Sequence, residues 1–158
     1  MPDIDPSEFR HLLGHFATGV TIITLARPDG VPAGMTASSL ASVSLQPPLV
    51  SVCIDRDAEI HPLMLEIDRW TVNILADDQE TLSRRFAEPS QDRFAGVGYT
   101  TTATGLVLLN GALAHLECEP EARHDAGDHT LFIGRVVGGS AHEGRPLLYY
   151  RGGYGSPL

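Results

Sequence analysis

The residues best suited to chemistry lie in one segment, GMTASSLASVSLQPPLVSVCI, residues 34–54. Thr36, Ala37, Ser38 and Ser39 offer hydroxyl groups and uncrowded main-chain amides, so a planar ring or a phosphate group can approach the backbone closely. A Pro-Pro pair then interrupts the segment before a second apolar strand. The pattern predicts a binding site for a flat, phosphorylated ligand that is built from main chain and small side chains.

Four polar residues, His124, Asp125, Asp128 and His129, fall within one predicted turn. Their spacing matches no strong zinc pattern, and no pair of cysteines accompanies them. We interpret them as solvated turn residues and expect no bound metal. The chain also shows no local Ser-His-Asp arrangement or paired-carboxylate motif, so no local pattern indicates acid–base or nucleophilic catalysis.

The first half of the chain predicts a helix, a hairpin and a third strand. Asp5, Pro6 and Glu8 are typical of a helix start, and Phe9, Leu12, Leu13 and Phe16 follow at helical spacing up to Gly19. Strands are predicted over residues 20–24, 33–44 and 49–54, with a turn at Pro28, Asp29 and Gly30 between the first two.

The second half predicts two short helices followed almost entirely by strands. A helix over residues 60–67, a strand over 70–75 and a helix capped by Asp77 and Glu80 precede a long surface loop over 89–105. Long strands are predicted over 106–122, 130–141 and 147–151, around the turns HDAGD and HEGRP. About seven strands with short connecting helices favour one mainly β (α+β) domain over residues 1–158, folded as a closed or partly open antiparallel barrel.

The composition narrows the partners of this domain. The chain has 158 residues, 42% of them hydrophobic, and a formal net charge of −9, which argues against nonspecific nucleic-acid binding. An anionic ligand must therefore be held locally by a few arginines, since the chain has no lysine. Cys53 and Cys118 are interpreted as reduced, buried thiols. Because no apolar run approaches the length of a membrane span and residues 1–9 do not read as a leader, we expect a cytoplasmic protein.

Five blocks in order along the chain resemble the short-chain flavin reductases, the reductase components of two-component flavin-dependent monooxygenases. They are FRHLLGHFATGVTIIT (9–24), residues 34–54, LSRRFA (82–87), GDHTLFIGRV (127–136) and PLLYYRGGY (146–154). The resemblance implies an FMN-binding split β-barrel of Greek-key-like topology, usually a homodimer. It also implies reduction of FMN or FAD by NADH or NADPH, with release of the reduced flavin to a separate oxygenase.

The same resemblance implies roles for particular residues. Thr36, Ala37, Ser38 and Ser39 would meet the flavin ring and its phosphate, and Cys53, Ile54, Asp55 and Arg56 would edge the isoalloxazine. Arg85 would pair with phosphate, Phe86 would cover the flavin, and Arg151 and Tyr154 would form a C-terminal flap. His129 would position the nicotinamide, with Asp128 beside it among the cofactor-binding residues.

The turn after Arg56 departs from the family pattern, which often has Ser and Thr where this chain reads DAEIH (57–61). Asp57 and Glu59 would compete with a phosphate for a helix N-terminus there. Two other uses of the same fold stay open: a flavin-binding carrier without turnover, and an enzyme like pyridoxamine-phosphate oxidase. The preference between FAD and FMN also stays open, and NADH is favoured over NADPH only because no basic cluster awaits a 2′-phosphate.

Overall fold

The computed structural model describes residues 1–90 and 92–157, which form antiparallel sheets with short helices. The helices are α1 (Pro6–Leu13), α2 (His61–Met64) and α3 (Glu80–Ala87). The first six strands are β1 (Thr18–Gly19), β2 (Thr21–Ala26), β3 (Pro32–Ala37), β4 (Ala41–Leu45), β5 (Pro48–Asp55) and β6 (Trp70–Ile74). The last six are β7 (Tyr99–Thr101), β8 (Val107–Leu109), β9 (Ala114–Ala126), β10 (His129–Ala141), β11 (Leu148–Tyr150) and β12 (Gly153–Gly155).

The main sheet has seven strands in the order β3-β2-β6-β9-β10-β5-β4. Its two edge strands, β3 and β4, follow one another in the chain and are joined only by residues 38–40. The sheet must therefore curl until its edges approach each other, which produces a barrel that is open between β3 and β4. Two small sheets, β1-β11-β12 and β7-β8, lie outside this barrel order. The predicted mainly β, split-barrel fold is confirmed.

Two apolar clusters hold the barrel together. The larger cluster includes Ile23, Leu25, Val52, Ile54, Met64, Trp70, Val72, Cys118 and Phe132. The second includes Val20, Ile22, Leu75, Phe86, Leu109 and Leu147. Side chains alternate between the two faces of a strand, so β2 contributes Ile23 to one cluster and Ile22 to the other. This strand is buried on both faces, which explains its uninterrupted run of β-branched and apolar residues.

Helix α1 forms as predicted but does not bury its apolar face. The Asp5 carboxylate accepts a hydrogen bond from the Ser7 amide at 2.8 Å and caps the helix, which ends at Gly14, earlier than the predicted Gly19. No residue of α1 is buried, and the Phe16 side chain just after it is 74% exposed. The amphipathic face is therefore available to a ligand or to another molecule.

Two strands predicted as continuous are each divided in the structure. The predicted strand 33–44 breaks at residues 38–40 because β3 pairs with β2 at one edge of the sheet, whereas β4 pairs with β5 at the other. The predicted strand 106–122 breaks at Gly111, which has a φ of 81° and turns the chain between β8 and β9. In both cases the pairing partner changes, which residue periodicity does not reveal.

Other boundaries also differ. The turn predicted over HDAGD shrinks to Gly127 and Asp128, because β9 and β10 continue their pairing as far as Ala126 and His129. Helix α3 begins after Gln79, so Asp77 is not its cap and lies instead 3.7 Å from Arg145. The helix predicted over 60–67 is the shorter α2, and the predicted loop 89–105 contains β7. Among the residues described, no helix has the length and apolarity needed to cross a membrane.

Candidate functional site

Ser38 and Ser39 lie where the barrel is open, between β3 and β4. The Ser39 hydroxyl accepts a hydrogen bond from the Cys53 amide at 3.0 Å and donates one to the Cys53 carbonyl at 3.3 Å. This contact ties the connection between the two edge strands to β5. The side chain of the next residue, Ile54, is fully buried and cannot meet a ligand, whereas Cys53, predicted to be buried, is only partly so.

The Thr36 side chain does not face an open site. Its hydroxyl donates a hydrogen bond to the Ser83 carbonyl of α3 at 2.7 Å, because this position of β3 points at the helix. Ala37 is nearly buried, and its carbonyl accepts a hydrogen bond from the Thr21 hydroxyl at 2.6 Å. The Thr36 hydroxyl is therefore engaged with α3, and the predicted contact of residues 36–39 with a flavin stays a prediction that would rest on the main chain at Thr36.

Helix α3 holds Phe86 and Arg85, which were predicted to contact the flavin, in contacts within the protein, and the pairing of Arg85 with phosphate stays a prediction. The Phe86 side chain is 0% exposed and packs against Phe94 with a ring separation of 4.9 Å, so it cannot cover a ligand. The Arg85 guanidinium donates to the Asp92 carbonyl at 3.1 Å and lies outside the groove described below. Spacing alone did not separate these roles, since Phe86 has the i+4 position of a core residue.

The hairpin between β9 and β10 brings several predicted residues together on one rim. His129 pairs with Asp55 across β10 and β5, and the Arg56 amide donates to the Asp128 carbonyl at 3.0 Å. The His129 Nδ1–H donates to the Asp128 carboxylate at 2.7 Å, and this hydrogen bond holds the pKa of that carboxyl below its ordinary value. The bond places the proton of neutral His129 on Nδ1 and leaves an acceptor at Nε2.

His124, Asp125, Asp128 and His129, which lie close together in sequence, are not grouped around a common point in the structure. Asp125 forms an ion pair with Arg56 at 3.3 Å, and His124 lies opposite Leu131 in the β9–β10 pairing. Within residues 1–90 and 92–157, no three His, Cys, Asp or Glu side chains are grouped to hold a metal ion.

The C-terminal residues Arg151 and Tyr154 are held in different ways. The Tyr154 hydroxyl lies 2.8 Å from the Ser83 hydroxyl, and the Arg84 guanidinium lies 4.8 Å from the centre of the Tyr154 ring. Arg151, in the turn between β11 and β12, has a φ of 50°, and its amide donates to the Gly14 carbonyl at 2.9 Å. The turn is therefore attached to the end of α1. The sequence pattern of this helix indicated no part in a binding site.

A groove of about 1200 Å³ runs between α1, the β11–β12 turn and the opening of the barrel. Ser38, Ser39 and Arg151, which were predicted from the sequence, share it with Arg10 and His11 of α1, which were not. Its other lining residues are Ser7, Phe9, Leu13, Gly14, Phe16, Ala17, Thr18, Gly19, Val20, Thr21, Leu40, Ala41, Ile74, Tyr149 and Gly152. The lining includes no Asp or Glu among the described residues, although the chain has 20 of them.

A second cavity, of about 30 Å³, lies at the turn that departs from the family pattern. Glu59 forms an ion pair there with Arg27 at 2.6 Å. Arg93 lines the same cavity and donates to the Gly34 carbonyl at 2.8 Å. Nothing in the sequence marked Arg93, because the contact joins residues 59 positions apart.

The open antiparallel barrel and its carboxylate-free groove define a small barrel protein suited to an anionic, aromatic ligand. The chain belongs to the family described as flavin reductase like domain, whose model matches residues 13–157. It is 44% identical over 152 residues to the flavin-dependent monooxygenase reductase subunit HsaB of Rhodococcus jostii (strain RHA1), covering 96% of this chain and 77% of that one. It is 42% identical over 155 residues to a flavin reductase (NADH) of Kitasatospora aureofaciens, covering 96% and 81%.

A solved structure supports the same relationship. The NADH:FAD oxidoreductase SgcE6 of Streptomyces globisporus C-1027, determined in complex with NAD and FAD fragments, superposes with a TM-score of 0.90 at 36% identity. The match covers 98% of this chain and 95% of SgcE6. The family predicted from the sequence is confirmed, and with it the activity of an NAD(P)H-dependent flavin reductase.

Proposed function

We propose that this chain transfers a hydride from NADH to FAD or FMN and releases the reduced flavin to a separate flavin-dependent monooxygenase. The observation that carries the proposal is the groove of about 1200 Å³ without a lining carboxylate in a protein of net charge −9. Such a groove fits a ligand that combines aromatic rings with phosphate, because hydroxyl and guanidinium groups line it beside apolar walls. NADPH is the alternative donor.

The residues of the chain would act by holding and orienting the two ligands. When bound, the flavin accepts at N5 the hydride that the nicotinamide C4 donates. The Ser39 contacts with Cys53 tie the connection over residues 38–40 to β5 where the flavin ring is expected. The Nε2 acceptor of His129, left available by its bond to Asp128, would receive a hydrogen bond from the nicotinamide carboxamide. No side chain has to transfer a proton, which agrees with the absence of an acid–base motif in the sequence.

The protein is proposed to act as a homodimer in the cytoplasm. Strand β4 is an edge of the main sheet, and its Val43 and Leu45 side chains are 48% and 83% exposed. An exposed edge strand with apolar side chains is a surface that a second copy can cover. Light scattering coupled to size-exclusion chromatography should give twice the 17.0 kDa chain mass, and a mass of one chain would exclude the homodimer.

One steady-state assay tests the catalytic proposal. Purified protein is mixed in air with NADH or NADPH and with catalytic FAD or FMN, and nicotinamide oxidation is followed at 340 nm. We expect flavin-dependent oxidation that saturates with flavin. Tight flavin binding without oxidation in any of the four combinations would leave the carrier function. Oxidation of pyridoxamine phosphate with FMN that stays bound would indicate the oxidase function instead.

A further inference from the structure

Arg10 and Arg151 differ from the other nine arginines in their contacts with the described residues. Nine of the eleven arginines form an ion pair with a carboxylate or donate a hydrogen bond to a carbonyl, as Arg135 does to Glu119 at 3.1 Å. Within residues 1–90 and 92–157, the guanidinium groups of Arg10 and Arg151 have neither a hydrogen-bond nor an ion-pair partner. Both line the groove. In a chain with 20 acidic residues, two unpaired cations in one groove indicate a site for an anion.

A backbone hydrogen bond connects the segments that contain the two arginines. Arg10 belongs to α1, and the amide of Arg151 donates to the Gly14 carbonyl at the end of that helix. Arg151 is also the only non-glycine residue with a positive φ in the described chain. A non-glycine residue in that region is strained, and such strain is frequently found at binding sites. The contact with Gly14 therefore fixes the backbone of Arg151 beside the end of α1.

The groups around the two arginines leave them available to an anionic ligand. Asp5 lies close enough to Arg10 for the guanidinium to contribute to its lowered pKa, but its carboxylate already accepts from Ser7. His11 lines the groove beside Arg10 and adds donor capacity. The rings of Phe16 and Tyr149 line the same groove and can pack against a base.

We propose that Arg10 and Arg151 bind the pyrophosphate of a dinucleotide in this groove. The inference rests on the proposed function, in which two ligands, FAD and NADH, carry that group. Guanidinium groups suit it because their planar donors match phosphate oxygens in pairs. Arg10 then has a binding role in a helix whose sequence pattern indicated only a helix start and an apolar face.

The test measures binding without turnover. Arg10→Gln and Arg151→Gln are compared with Arg135→Gln, which removes the same charge from an exposed pair outside the groove. Flavin fluorescence gives the Kd of FAD and of FMN, and calorimetry without flavin gives the Kd of NADH and of reduced nicotinamide mononucleotide. We expect each groove variant to weaken one dinucleotide by about tenfold to a hundredfold, because each removes hydrogen bonds to a charged group. The mononucleotide of the same pair should change less, and Arg135→Gln should match the wild type.

The pattern of losses identifies the source of the pyrophosphate. A loss confined to FAD over FMN assigns the site to the flavin, and a loss confined to NADH over its mononucleotide assigns it to the nicotinamide donor. The difference from wild type should shrink in 0.5 M NaCl, since salt screens exposed charges. Unchanged Kd values for both dinucleotides overturn the inference, as does a change of oligomeric mass in place of affinity, which would make the groove a contact between copies.

Failure of the proposed function gives a different result. Wild-type protein that binds a dinucleotide through Arg10 and Arg151 but oxidises no NADH with either flavin would refute the reductase proposal and retain the site. Normal turnover with unchanged affinities in both groove variants would refute the site and retain the reductase.

Discussion

Replacing Asn73 with alanine should destabilise the protein by weakening the attachment of the β7–β8 ribbon to the main sheet. Backbone hydrogen bonds join β8 only to β7, whereas side chains of the main sheet hold its other edge. Asn73, fully buried in β6, accepts from the Leu109 amide at 2.9 Å and donates to the Ile22 carbonyl and the Thr24 hydroxyl, each at 2.9 Å. The Leu109 carbonyl accepts a further bond from His115 Nε2 at 2.8 Å.

The size of the effect follows from these contacts. Three hydrogen bonds at about 1 kcal/mol each give a loss of about 3 kcal/mol, and the buried Leu109 amide left without an acceptor is the largest part of it. At about 2–4 °C per kcal/mol for a chain of this length, the midpoint of thermal unfolding should fall by about 6–12 °C. A typical domain has only about 5–15 kcal/mol of stability in total, so the change is large.

The assay is thermal unfolding of ligand-free protein followed by circular dichroism, since bound flavin would shift the midpoint by itself. Asn110→Ala is the matched control, because that asparagine is exposed and its side chain has no hydrogen bond within the described residues. The control should unfold within about 2 °C of wild type. An Asn73→Ala midpoint equally close to wild type would refute the role assigned to these bonds.

Two further predictions concern the rim and the core. His129→Ala should raise the KM for NADH about tenfold with little change in the KM for flavin, because it removes one hydrogen-bonding group from the nicotinamide side; a change in the flavin KM alone would reverse the assignment. Burial raises the pKa of the Cys118 thiol to about 12, above its ordinary 9.0, so the folded state keeps the proton that the unfolded chain loses. Denaturant unfolding between pH 9 and 11 should therefore show wild-type stability falling more steeply than that of Cys118→Ala, by up to about 1.4 kcal/mol per pH unit, and parallel curves would contradict this.

The fold class was predictable because its signals are local. Strand β2 contains a run of β-branched residues. At the start of α1, the Asp5 side chain accepts a hydrogen bond from a backbone amide only two residues away. The five sequence blocks extended this to the family, since their order along the chain is specific even where each block alone is not. Both predictions needed only residue types and spacing.

The sequence indicated which residues belong to the site region, but not which neighbours their side chains contact. Residues 36–39 were predicted as one flavin-facing segment, but the Thr36 hydroxyl contacts α3, because a helix distant in sequence packs on that face of β3. Phe86 was expected beside the flavin and lies in the core for the same reason. Spacing tells which residues share a face of an element, but only packing tells what covers that face.

The sequence by itself determined the barrel, the family and the small-residue segment around Ser38 and Ser39, because each depends on residue type and neighbours along the chain. The tertiary structure decided which arginines are paired and which are available. Arg10 and Arg151 are 141 positions apart, and a hydrogen bond from Arg151 to Gly14 places them in one groove. Gly134 shows the same dependence on packing: a Cβ there would lie 2.5 Å from the Trp70 ring, a closeness that arises only when β10 curls over the barrel interior. Long-range pairing of strands is what creates such contacts, and no local pattern encodes them.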